Sequence, residues 1–160
     1  MRAAVLTVSD RSSKGLRKDD SGPALEQALA RHGIEVAFTA VCPDEEEAIA
    51  RILTAWADEH GLDVVITTGG TGVSPRDVTP EATLAVVSRT VPGMAEAMRQ
   101  TSLQKTPHAM ISRAVVGIRG RTLIINLPGS PKGAIENLEV VLPAVPHAVA
   151  KIQGDPSECA

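Results

Sequence analysis

Short runs of β-branched residues alternate along this chain with segments of helical periodicity, and that alternation confines it to an α/β layered fold with a largely parallel sheet. The first run covers residues 3–8. A charged, glycine-containing loop, residues 10–20, leads to a helix predicted from near Ser21, with Pro23 in its first turn and Leu25, Ala28, Leu29 and His32 on one face. Gly33 sits where a left-handed C-cap ends it. Residues 34–41 read as the second strand. From Asp44 a helix carries Ile49, Ile52, Leu53 and Trp56 at helical spacing and stops at His60-Gly61. The third strand, 63–68, is apolar on both faces, the pattern of an interior parallel strand.

Thr79-Pro80 predicts a helix start, with Thr79 as N-cap and Pro80 at the first helical position. A further helix is expected over 92–104. Strands at 115–118 and 122–127 flank a turn at Gly120, and 131–153 is helical, split by Pro143 and Pro146. The expected whole is a three-layer α/β/α fold with a mostly parallel central sheet. Residues 1–153 read as one domain and 154–160 as a tail, frayed from Pro156 onward.

Composition excludes several functions. A chain of 160 residues with 43% hydrophobic and 22% charged residues can bury a full core. Phe38 and Trp56 are its aromatics and it has no tyrosine, so stacked platforms for single-stranded nucleic acid and aromatic cages for quaternary ammonium groups are ruled out. A net charge of −3, with basic residues dispersed, offers no footprint for DNA or RNA. Cys42 and Cys159 form no ligand or disulfide framework, which points to a reducing cytoplasm. The apolar start Ala3-Ala4-Val5-Leu6 is too short for a signal segment, and the chain has no apolar span long enough to cross a membrane.

Polar or glycine-containing groups follow the strands at once: Ser9-Asp10-Arg11, Pro43-Asp44-Glu45, Gly69-Gly70-Thr71-Gly72 and Pro128-Gly129-Ser130-Pro131. Ligands of open parallel sheets bind at the carboxyl ends of strands, so these four groups are expected on one rim. The Thr68-to-Gly72 loop, free of side chains at three of its positions, reads as a phosphate cradle or as a tight turn. It matches neither the Walker A nor the dinucleotide pattern. Ser130 and Lys132 open a helix that can favour an anion, or Ser130 is a plain N-cap. Asp44 is either the cap of a helix with Glu47 in capping-box position or a functional carboxylate. Asp77, two residues before Thr79, is less easily a cap; beside a phosphate site its use is to hold Mg²⁺. His32, His60, His108 and His147 read as structural or solvated, and no Gly-x-Ser-x-Gly elbow supports a serine hydrolase.

Taken together and in order, Ser9-Asp10-Arg11, Asp19-Asp20-Ser21-Gly22-Pro23, Thr67-Thr68-Gly69-Gly70-Thr71-Gly72, Arg76-Asp77-Val78-Thr79-Pro80-Glu81-Ala82-Thr83 and Leu127-Pro128-Gly129-Ser130-Pro131 closely resemble the MoaB/Mog family of molybdenum-cofactor biosynthesis proteins. The resemblance spans residues 3–152. It implies a cytoplasmic homotrimer that binds molybdopterin and, in catalytic members, adenylylates it with Mg-ATP. It also implies catalytic roles for Asp44 and Asp77, and the charge of the two phosphate-bearing reactants assigns these carboxylates to Mg²⁺ coordination or its water-mediated support; Ser9, Asp10, Ser21, Thr68, Gly69, Gly70, Thr71, Gly72, Arg76, Pro128, Gly129, Ser130, Pro131 and Lys132 are expected in substrate or nucleotide binding. The alternative is a non-catalytic molybdopterin carrier of the same family. Without the resemblance, the residues point to a nucleotide-binding or assembly module.

Overall fold

The computed structural model describes residues 1–157. Six strands, β1 (Arg2–Val8), β2 (Glu35–Cys42), β3 (Val64–Thr68), β4 (Arg89–Thr90), β5 (Val116–Arg119) and β6 (Thr122–Leu127), form one sheet in the order β2-β1-β3-β6-β5-β4. The β1–β2, β1–β3 and β3–β6 pairs are parallel, whereas β5 is antiparallel to both β6 and β4. The three-layer expectation holds. Ala3 and Val5 of β1 join Val64 and Ile66 of β3 on one face, beneath α2 (Ser21–Arg31), α5 (Pro92–Leu103), α6 (Pro131–Val141) and α7 (Val145–Ile152). Ala4, Leu6, Val65 and Ile124 face the other way, beneath α3 (Glu46–Asp58) and α4 (Thr79–Val86). The period-two alternation of each strand thus feeds two separate cores. Leu25, Leu29, Ile49 and Leu53 are fully buried in them, each contributing about 1.5–3 kcal/mol relative to exposure.

Phe38 and Trp56 stack on each other with ring centroids 6.3 Å apart, on the α3 face. A buried polar tie crosses from sheet to helix. Asn126 of β6 donates to the Thr67 hydroxyl at 3.0 Å and to the Thr83 hydroxyl at 2.9 Å, fixing α4 and the loop before it against the sheet.

Several local expectations are corrected. The loop at 10–20 contains a one-turn helix, α1 (Asp10–Ser13), because the Ser9 hydroxyl accepts from the Ser12 amide at 3.2 Å and starts it. Asp44 is not the cap of α3: that helix starts at Glu46, with Glu45 in the cap position and no side-chain cap. Thr79 is not an N-cap either. It is the first residue of α4, and its hydroxyl donates to the Gly69 carbonyl at 2.8 Å. Periodicity does not announce the two-residue strand β4 or a 3-10 turn at Pro107–Ile111. Of the expected tail, Lys151 donates to the Asp155 carbonyl at 3.2 Å and also reaches Ser157, while Cys159 and the other residues of 158–160 lie outside the described residues. Among the described residues, no helix is long and apolar enough to cross a membrane.

Candidate functional site

The chain leaves β1 to one side, through α2 to β2, and then crosses to the other side, through α3 to β3. The carboxyl ends of β1 and β3 therefore flank a point where strand order reverses, which is where open α/β sheets bind ligands. Two cavities open there. One, of about 470 Å³, lies between the glycine loop, the start of α6 and the segment from α5 to the 3-10 turn. The other, of about 330 Å³, lies between the ends of β1 and β3, the 17–21 loop and the Gly129 turn. Gly70, Asp77, Gly129 and Ser130 belong to both, so they form a shared wall.

Gly70 of that wall and its neighbour Gly69 are dictated by close approach. Gly69 and Gly70 have φ of +102° and +64°, in the left-handed region that disfavours other residues. A Cβ on Gly69 would stand 2.3 Å from the Val8 carbonyl oxygen, and one on Gly70 would stand 2.3 Å from the Thr79 hydroxyl and 3.1 Å from Asp44 Oδ1. The tight turn and the close approach are one feature: the same geometry that packs the loop on β1 brings a carboxylate to it. Hydroxyls complete the packing. Thr68 donates to the Pro128 carbonyl at 2.7 Å and Ser21 to the Gly129 carbonyl at 2.8 Å. Ser130 accepts from the Gly133 amide at 3.2 Å, which makes it the N-cap of α6 as well as a cavity residue.

Asp44 is held by a reciprocal pair. The Asp10 amide donates to Asp44 Oδ2 at 2.7 Å, and the Asp44 amide donates to Asp10 Oδ1 at 3.1 Å. Arg76 closes the arrangement with two bonds of 2.9 Å onto the Asp10 carboxylate. That guanidinium holds the Asp10 carboxyl below its ordinary value, whereas burial, together with the charges of Asp10 and Asp77, pushes Asp44 above its own. Asp77 Oδ2 accepts from the Ser74 amide at 2.8 Å, closing its loop. Cys42, just below Asp44, is buried and its thiol is pushed up to about 12, so it is no nucleophile.

A family model described as "Probable molybdopterin binding domain" matches residues 4–147. The chain belongs to this molybdopterin-binding domain family. A molybdopterin adenylyltransferase of Helicobacter pylori (strain ATCC 700392 / 26695) is 45% identical over 153 residues, covering 94% of this chain and 87% of that protein. That of Escherichia coli (strain K12) is 45% identical over 152 residues, covering 93% and 77%. The crystal structure of the molybdopterin biosynthesis enzyme MoaB from Thermus thermophilus superposes with a TM-score of 0.91 at 52% identity, covering 98% of this chain and 99% of that one.

In this member of the molybdopterin-binding domain family, the residues expected at the site are distributed unevenly. Thr71, Gly72 and Pro128 line the larger cavity; Ser9, Ser21, Asp44, Thr68, Gly69 and Pro131 line the smaller. Asp10, Arg76 and Lys132 line neither: Asp10 and Arg76 act one layer back, on Asp44, while Lys132 is exposed in the first turn of α6, between Pro131 of the smaller cavity and Gly133 of the larger. The outer walls are built from residues outside the expected set. Arg17 and Lys18 border the smaller cavity, and His108, expected to be structural or solvated, borders the larger with Lys105 and Asn137. The basic pair in the 10–20 loop was a readable signal; the α5 wall has no motif.

Proposed function

We propose that this protein is a molybdopterin adenylyltransferase of molybdenum-cofactor biosynthesis, which transfers AMP from Mg-ATP to the molybdopterin phosphate and releases pyrophosphate. The observation that carries the reading is the shared wall: two cavities of substrate size meet at Gly70, Asp77, Gly129 and Ser130. Two substrates can then occupy separate lobes with their phosphates against one anion-binding surface. The relatives named molybdopterin adenylyltransferase support the reading.

The attacking phosphate monoester, with a second pKa of about 6, is already mostly dianionic near neutral pH, so no strong base is required. A bond forms from its oxygen to the α-phosphorus of ATP as the bond to the leaving pyrophosphate breaks. The protein's task is to bring two anions together in line. Loop amides around Gly70, the N-terminus of α6 and Arg17 and Lys18 at the mouth of the smaller cavity supply fixed positive potential.

Mg²⁺ fits the carboxylates present. Asp44 and Asp77 both border the smaller cavity and repel each other, and Asp44 Oδ1 faces the glycine loop. Mg²⁺ is commonly held by one or two carboxylates together with substrate phosphates, and two aspartates border this cavity. Asp44 and Asp77 would hold it, and it would supply neutralisation of phosphate charge. Residues 1–153 are proposed to act as one domain, in the cytoplasm and as a homotrimer; light scattering is expected to give about three times the 16.7 kDa subunit mass.

Incubation with molybdopterin and Mg-ATP is expected to yield adenylylated molybdopterin and pyrophosphate. Molybdopterin binding without turnover would establish the carrier instead, and binding of neither ligand would defeat both readings.

The raised Asp44 pKa has a definite sign. Its proton is bound more tightly folded than unfolded, so the free protein loses stability as pH rises from 3.8 through the raised value, and a bound cation offsets that loss. Mg-ATP affinity is therefore expected to fall as pH drops into that window. Calorimetric titration across pH should show this for the wild type and a flatter profile for Asp44→Asn; identical profiles would remove Asp44 from cation binding.

A further inference from the structure

Arg113 lines neither cavity, yet it bonds three residues that line the larger one, Thr71, Gly72 and Asp77. It follows the 3-10 turn and precedes β5, and its guanidinium reaches back to the glycine loop. Nε donates to the Gly72 carbonyl at 2.6 Å and Nη2 to the Asp77 carbonyl at 2.6 Å. Nη1 donates to Glu81 in the first turn of α4, and the Arg113 amide donates to the Thr71 carbonyl at 2.8 Å. A single residue therefore satisfies acceptors at both ends of the loop that carries Asp77.

We infer that Arg113 is a positioning residue for the transfer reaction: its planar fork draws the Gly72 and Asp77 carbonyls to one side and so keeps the Asp77 carboxylate on the wall common to both cavities. The loop has internal bonds of its own, from the Ser74 amide to Asp77 Oδ2 at 2.8 Å and from the Asp77 amide to the Ser74 carbonyl at 2.9 Å. These close the turn but do not tie it to the sheet. Thr79 ties the far end of the loop back to the end of β3, its hydroxyl on the Gly69 carbonyl at 2.8 Å and its amide on the Gly70 carbonyl at 3.1 Å; between those ends the tie comes from Arg113, with Glu81 orienting the guanidinium from α4. Lysine could supply the charge but not three donors in a fixed plane. On the other side Arg76, the neighbour of Asp77, is bound to Asp10 and through it to Asp44. The two arginines thus set the spacing of the two carboxylates, and Arg113 sets the position of Asp77.

The kinetic part of this inference rests on the adenylyltransferase reading; the structural part does not. Amide hydrogen exchange and steady-state kinetics on the full-length wild type, Arg113→Ala and Arg113→Lys test it. Both variants are expected to exchange faster at the Ser74, Asp77 and Thr79 amides while β3 and β6 keep wild-type rates. Misplacement of Asp77 should lower kcat by about 10²-fold with both KM values little changed. Guanidinium ion below denaturing concentration should restore part of the Arg113→Ala rate and none of the Asp77→Asn rate. Faster exchange throughout β3 and β6 without guanidinium rescue would make Arg113 a structural residue only, and wild-type kcat in Arg113→Ala would overturn the inference. Should Arg113→Ala not fold, Glu81→Gln keeps both loop carbonyl bonds while weakening the orienting pair. A local rise in exchange at 70–79 with a severalfold lower kcat is expected, and wild-type behaviour would equally overturn it. An inactive wild type would defeat the adenylyltransferase reading, and the exchange pattern would still decide whether Arg113 holds the loop.

Discussion

Asp77→Asn is expected to lower turnover by about 10²–10³-fold at saturating molybdopterin and Mg-ATP, the range seen when one preorganised electrostatic group is lost from a transition state. The effect should be confined to chemistry. Asparagine keeps the size of aspartate and an oxygen that can accept from the Ser74 amide, the bond that closes the loop at 2.8 Å. The backbone at 77 is held independently, by Arg113 on its carbonyl and by its own amide on the Ser74 carbonyl. Thermal stability should therefore stay within about 0.5 kcal/mol of wild type, as for substitutions that break no packing or capping contact. What disappears is the negative charge that faces Asp44 across the smaller cavity. With that charge gone, the Asp44 carboxyl should titrate closer to its ordinary value. Unchanged turnover in a variant that melts with the wild type would leave Asp77 with a loop-closing role alone and would favour the carrier reading.

The sheet was legible because its signal is repeated. Val64, Val65 and Ile66 are apolar on successive positions, and Ala3 to Leu6 alternate between two faces that each receive helices. Strand β4 gives no such signal, since Arg89 and Thr90 are both exposed and two residues define no period. Helix boundaries failed where a side chain with capping ability had a stronger partner elsewhere. Thr79 bonds Gly69 ten residues back in the chain, and Asp44 bonds Asp10 on the neighbouring strand end. Neither partner can be inferred from local spacing: the Asp44–Asp10 pair depends on β1 and β2 becoming neighbours, and the Thr79–Gly69 bond on how the segment between β3 and α4 folds back. The same reason separates the parts of the site. Glycines at 69, 70 and 72 mark themselves, because an added Cβ would meet the Val8 carbonyl, the Thr79 hydroxyl and the Asp77 carboxylate respectively. Arg113 leaves no mark: three of its partners are main-chain carbonyls, which every residue has.

Gly69→Ala is expected to be the most destabilising single change at the rim, and Gly33→Ala shows why. Both glycines have positive φ, +102° and +72°, so each alanine carries a backbone penalty of about 1–3 kcal/mol. At Gly33 nothing lies within 4 Å of the added methyl, and the penalty stops there. At Gly69 the methyl would stand 2.3 Å from the Val8 carbonyl oxygen, a main-chain atom of an interior strand that has no rotamer to change. Relief requires the ends of β1 and β3 to separate, adding about 1–3 kcal/mol of overpacking. At about 2–4 °C per kcal/mol for a domain of this size, Gly69→Ala should melt roughly 10 °C below wild type, and Gly33→Ala only a few degrees below it. The separation also moves Gly70 away from Asp44 and the Gly69 carbonyl away from the Thr79 hydroxyl that holds it at 2.8 Å. Folded Gly69→Ala should therefore lose turnover at temperatures well below its midpoint, whereas Gly33→Ala keeps it. Equal melting of the two variants would mean that strand ends at the switch point yield readily, and that the close approach of loop and strand is not what sets the site.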